Sequence, residues 1–201
     1  SHPMQDYPHR YKAAAQGGNE GVIDTASPGL ENIPAMPPPE FDGPGDKWSP
    51  ETMLVASVAN CFILTFRAVA RASKFEWNSL NVEVDGVLDR IERQTQFTEF
   101  YIDVTLHLPS GADAHKAHRL CERSEQTCLI TNSLTGKKNL SVAIVHDEDL
   151  WHDIDARHPR NREIERVLVR IVAVQGQDAA VIAHDRRRMG DRERRRPSCP
   201  R

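Results

Sequence analysis

The order of hydrophobic periods along the chain predicts an α+β fold. Three observations carry this. Residues 50–72 are apolar on nearly every side at helical spacing, residues 80–84 and 100–108 alternate apolar with polar, and residues 112–128 return to a helical period before an apolar run at 139–146. Helix, paired strands, helix and strand in that order fit neither an all-helical nor an all-β protein.

From the N-terminus, residues 8–15 and 21–26 flank the Gly-rich QGGNEG and predict a β-hairpin. Residues 34–50 hold six prolines and two glycines, a composition that predicts a stiff extended loop with no regular element. The helix beginning at Pro50 has the strongest start signal in the chain. Ser49 can cap it, Pro50 suits the first helical position, and Glu51 sets a negative charge in the first turn. Met53, Leu54, Val55, Val58, Cys61, Phe62, Ile63, Leu64, Phe66 and Val69 surround its axis, so protein is expected to wrap it on all sides.

Leu80, Val82 and Val84, then Phe100, Ile102, Val104, Leu106 and Leu108, give two strands with one apolar face each. DRIERQTQ is the expected connection between them. Ala114, Ala117, Cys121, Ser124 and Cys128 share one helical face, and NLSVAIVH (139–146) reads as a further strand. One domain over 8–146 follows. Residues 147–183 form an extension in which 164–174 fits either a helix or the first arm of a hairpin, and the Arg-rich 184–201 is expected to be disordered.

Composition narrows the function. Residues 186–201 carry eight arginines against two acids, a net of +6, which leaves −9 on residues 1–185. An acidic body offers no electrostatic footprint for nucleic acid, and the tail is best read as a solvated extension. The uncharged run Thr52–Phe66 is 15 residues, short of the roughly 20 that span a bilayer, so a core helix and no membrane partner are expected. SHPMQDYPHR has no apolar leader, and Ser1–Pro3 ahead of Met4 resemble an artificial extension. Four cysteines are too few for a disulfide scaffold, which points to a reducing, cytoplasmic compartment. His146, His152 and His158 recur among aspartates at a spacing that suits an acidic connector, and His115 and His118 fall on a charged helix face, so no metal or resident cofactor is expected.

Cys61 and Cys128 are the chemical candidates. Residue type alone leaves each open to being inert core or a reactive thiol, and their separation in sequence does not pair them. The string Trp48-Ser-Pro-Glu-Thr-Met-Leu-Val-Ala-Ser-Val-Ala-Asn-Cys-Phe62, with a cysteine ten residues after Glu51, resembles the family of osmotically inducible protein C (OsmC) and the organic hydroperoxide resistance (Ohr) proteins. Cys128-Leu-Ile-Thr-Asn-Ser-Leu134 is similar to its second motif. The resemblance covers roughly residues 8–146. It implies antiparallel sheets wrapped around a long buried central helix, in an intertwined homodimer with sites at the interface. It further implies a thiol-dependent peroxidase for small hydrophobic organic hydroperoxides. Cys61 is then the peroxidatic nucleophile, Cys128 the resolving thiol, and the reductant an external thiol or dihydrolipoyl group. Phe41, Trp48, Phe62 and Phe66 are candidate walls for the peroxide.

Two features bear on that expectation. Glu51 lies about 15 Å along the helix from Cys61 and on another side of it, so a role in the site requires a second subunit or an intervening residue. Its expected role is to orient a cation that lowers the Cys61 pKa. A mid-helix cysteine gains little from the helix dipole and calls for such a cation. The family's arginine positions read Gly17-Gly18-Asn19 and Glu40-Phe41 here, leaving Lys47, Arg10, Lys12 or Arg67 as replacements. The competing class is a non-catalytic dimeric binding or redox-sensing module that lacks the activating arginine.

Overall fold

A computed structural model describes residues 5–147. A first antiparallel sheet has the order β1 (Ala14–Gln16), β2 (Ile23–Ala26), β3 (Ile33–Ala35). The predicted hairpin is therefore present, but a third strand and a 3-10 turn at Pro39–Phe41 lie in or beside the proline-rich segment expected to be irregular. Pro34 is tolerated because β3 is an edge strand, where an absent N–H costs no ladder bond on the open side. An Ala35–Trp48 bridge, with Met36 N–H donating to Trp48 O at 2.9 Å, ties this sheet to the start of the long helix.

That helix, α1 (Pro50–Ala72), starts as its sequence predicts. Ser49 Oγ accepts from the Thr52 N–H at 3.1 Å, and Thr52 Oγ1 accepts from the Ser49 N–H at 2.9 Å, a reciprocal capping box. After it come β4 (Ser79–Ile91), β5 (Gln94–Leu108), α2 (Ala114–Thr127), α3 (Leu129–Asn132) and β6 (Lys137–His146). The DRIERQTQ connection is mostly strand: β4 and β5 run on to a two-residue turn in which Glu92 and Arg93 have φ of 48° and 71°. Both are left-handed, the backbone that matches strand twist across a tight hairpin.

The second sheet has the order β4-β5-β6. Here the expectation of antiparallel sheets needs correcting, because β6 pairs with β5 in parallel, from Glu99↔Lys137 to Leu108↔His146. The connection through α2 and α3 carries the chain back to the same end of the sheet, as a parallel pair requires. β5 is therefore central, and its alternate residues Phe100, Ile102, Val104, Leu106 and Leu108 are all buried. Val58, Phe62, Phe66 and Ala70 of α1 join them, with Ala117, Leu120 and Cys121 of α2.

A single chain covers α1 on one side. By length and composition it could cross a membrane, but one side of it is committed to this core. Within a single chain the opposite side is not wrapped, and Leu64 is 60% exposed. The expectations for residues 148–201 lie outside the described residues.

Candidate active site

Cys61 is in the middle of α1, on its inward side and 8% exposed. Cys128 is fully buried at the junction where α2 ends and α3 begins. Its backbone leaves the helical region there, at φ −65° and ψ 112°. That break lets the chain turn at Cys128 and start α3 against α1. The two cysteines are free thiols whose side chains lie close enough to shift each other's acidity.

The donors around Cys61 explain which of the pair is acidic. Burial pushes the Cys61 thiol up, but the Cys128 side chain, the Ile130 backbone N–H, the Thr65 hydroxyl and the Leu129 backbone N–H together hold it below the ordinary thiol value. Thr65 Oγ1 stands 3.8 Å from Cys61 Sγ. Cys128 moves the other way. Burial, and its hydrogen bond to Cys61, push its thiol up. The pair therefore divides into an acidic Cys61 and a protonated, donating Cys128.

The cation that the sequence called for is not among the groups lowering Cys61, which are all uncharged or the partner cysteine among the described residues. Lys47, the candidate nearest the motif, pairs instead with Asp46 at 2.9 Å. Two of the groups that lower the Cys61 pKa are backbone N–H groups, and a backbone amide leaves no residue-type signature in a sequence. Thr65 was also missed. Its signal is the i+4 spacing from Cys61, which puts the two side chains on one face of α1.

Glu51 stands apart from the cysteine pair, as helix geometry requires. Its Oε2 is buried and has no hydrogen-bond partner among the described residues. It lines a groove of about 620 Å³ with Glu40, Phe41, Val55, Val84 and Phe97. The four aromatic candidates do not share one pocket. Phe62 and Phe66 are core, Phe41 lines the Glu51 groove, and Trp48 lines a separate cleft with Ile33 and Lys47. Of the histidines, His118 lies 3.5 Å from Glu122, and His146 Nε2 is 3.0 Å from Ala112 O.

A two-layer α+β domain with a paired thiol between its long helix and a crossover connection defines a cysteine-bearing fold that comparison with known proteins places. A family model described as OsmC-like protein matches residues 43–143, and the chain belongs to that family. It is 29% identical over 142 residues to the uncharacterized protein YmaD of Bacillus subtilis, covering 69% of this chain and 94% of YmaD. Among solved structures, an OsmC-like protein of unknown function from Vibrio cholerae superposes with a TM-score of 0.62 at 16% identity, over 67% of this chain and 99% of its own. An OsmC-like protein from Mycoplasma pneumoniae gives 0.61 at 18%, over 70% and 100%. An organic hydroperoxide resistance protein from Elizabethkingia anophelis gives 0.59 at 19%, over 71% and 99%.

Proposed function

We propose that this protein is a thiol-dependent peroxidase that reduces small hydrophobic organic hydroperoxides. The observation that supports it best is the pair of buried free thiols, Cys61 on α1 and Cys128 where α2 gives way to α3, whose side chains shift each other's acidity, the Cys61 pKa downward and the Cys128 pKa upward. The Cys61 thiolate attacks the terminal oxygen of ROOH. The O–O bond breaks, Cys61 becomes a sulfenic acid, and the alkoxide takes a proton and leaves as the alcohol. Cys128 sulfur then attacks the Cys61 sulfur, forming a disulfide and releasing water. A dithiol reductant restores both thiols by exchange and leaves as its own disulfide.

The second part of the proposal is that the working unit is a homodimer. Support comes from apolar surface a single chain leaves open: Leu64 on α1, Phe41, Trp48 and Leu129 are all exposed. Strands β1 to β3 bury little apart from Ala35, and so small a sheet needs a further surface to pack on. A second copy would also bring a partner to the buried Glu51 oxygen. Light scattering on the eluting protein tests this part, and a monomer of 22.7 kDa would refute it.

The catalytic part is tested by following tert-butyl hydroperoxide with dithiothreitol or a dihydrolipoyl peptide as reductant. Consumption is expected, Cys61→Ser should abolish it, and Cys128→Ser should leave a sulfenic acid that dimedone traps on Cys61. A protein that consumes no peroxide with either reductant would return the chain to the class of binding or redox-sensing modules.

A further inference from the structure

Hydroxyls in the helices of this protein follow one habit. Ser57 donates to Leu54 O at 2.6 Å, Ser124 to Leu120 O at 2.7 Å, Thr127 to Arg123 O at 2.7 Å and Ser133 to Leu129 O at 2.8 Å. Each returns to a carbonyl about one turn earlier, the usual resting place of a helical Ser or Thr hydroxyl. Thr65 departs from it. Its hydroxyl partner is the sulfur of Cys61, the residue one turn earlier, at 3.8 Å. A β-branched threonine has few χ1 choices in a helix, so the orientation that reaches the sulfur is held by the backbone rather than selected from many.

The other groups that lower the pKa of that thiol come from the connection between α2 and α3: the Cys128 side chain and the Leu129 and Ile130 N–H groups. Cys128 is the titratable one, and no charged side chain among the described residues contributes. Among the described residues of one chain the donors to that sulfur are neutral, and Thr65 is the one supplied by the helix that carries the cysteine.

From this geometry we propose that Thr65 is a catalytic residue of the Cys61 site, donating its hydroxyl proton in a hydrogen bond to the Cys61 thiolate in place of a cationic side chain. The inference rests on the reading of Cys61 as the nucleophile. It assigns to Thr65 the holding of negative charge on sulfur before attack, while the three donors from the α2–α3 connection remain in place. A hydroxyl also differs from an arginine in kind. A dipole fixed by the helix is insensitive to screening ions, whereas an exposed ion pair weakens as salt is added.

The test measures Cys61 ionisation and peroxide turnover separately, on the full reduced chain. Iodoacetamide labelling is followed at the Cys61 peptide by mass spectrometry from pH 5 to 10, in wild type, Thr65→Val, Thr65→Ala and Thr65→Ser. The valine variant keeps shape and removes the donor, and the alanine variant serves if valine perturbs folding. Both should raise the labelling midpoint by about one pH unit, the size of one hydrogen bond to a charged acceptor. Thr65→Ser should bring the midpoint back toward wild type. Midpoints of the valine and alanine variants equal to wild type would overturn the inference. If the midpoint moves but wild type consumes no peroxide, the role of Thr65 stands and the peroxidase reading falls. If wild type consumes peroxide and the midpoint does not move, the reverse holds. A wild-type midpoint that falls steeply or rises steeply between 20 mM and 500 mM salt would point to a charged activator and also overturn the inference.

Discussion

The Cys61 and Cys128 side chains meet at the break between α2 and α3, and each shifts the acidity of the other. The contact makes the two sulfurs unequal. Cys61 is held below the ordinary thiol value and Cys128 above it. At pH 7 a limiting amount of iodoacetamide should therefore modify Cys61 before Cys128, and Cys128→Ala should slow Cys61 labelling by removing a donor. Equal labelling of the two peptides would contradict the assignment.

Cys121 should behave as the opposite of Cys61. It is fully buried on the inner face of α2, and burial, with the Glu122 charge as a lesser cause, pushes its thiol from 9.0 up to about 12. A raised folded-state pKa means that the folded protein holds this proton more tightly than the unfolded chain. Its stabilising contribution is complete below about pH 9 and is lost as pH rises toward about 12. Urea midpoints should fall over that window, and Cys121→Ala should flatten the fall while costing about 1 kcal/mol at neutral pH through lost packing.

Gly86 of β4 lies under Val55 of α1 and the Phe97 ring of β5. A Cβ there would sit 2.8 Å from the Phe97 ring and 2.8 Å from a Val55 methyl. Gly86→Ala should destabilise by about 1–3 kcal/mol, the usual cost of overpacking, seen as a lower urea midpoint at unchanged slope. The same change narrows the groove lined by Glu51, Val55 and Phe97.

The N-terminus of α1 is held by the buried Ser49. Ser49→Ala breaks the capping box and should cost about 1 kcal/mol in the same urea measurement. Ser49→Asp keeps an acceptor for the Thr52 N–H and should recover part of that loss.

Most of what could be seen in the residues was local. Ser49-Pro50-Glu51 announced a helix start because capping chemistry lies within four residues. The alternation of β5 announced its buried face because the strand period is two. The two cysteine motifs were visible because each is a contiguous string. What escaped was set at long range or by the backbone. Parallel pairing of β5 with β6 depends on how the connection returns, which neither strand encodes. Strand β3 accommodates Pro34 because no neighbouring strand runs along its outer side at that residue, a property of the sheet and not of the proline. The N–H groups of Leu129 and Ile130 belong to residues whose side chains say nothing about sulfur chemistry. The expectation of a cation follows from the helix alone, which does not carry the donors of the α2–α3 connection.

The central position of β5 has a consequence for how the chain assembles. β4 and β5 can zip together as soon as both exist, because the turn at Glu92–Arg93 leaves almost no loop to close. The other edge of β5 stays bare until β6, the last described strand, arrives. A nascent chain that has not yet released residues 137–146 carries an open apolar strand edge of the kind that recruits foreign strands. Ending the chain before Lys137 would make that transient exposure permanent, so aggregation should set in sharply with truncation across β6.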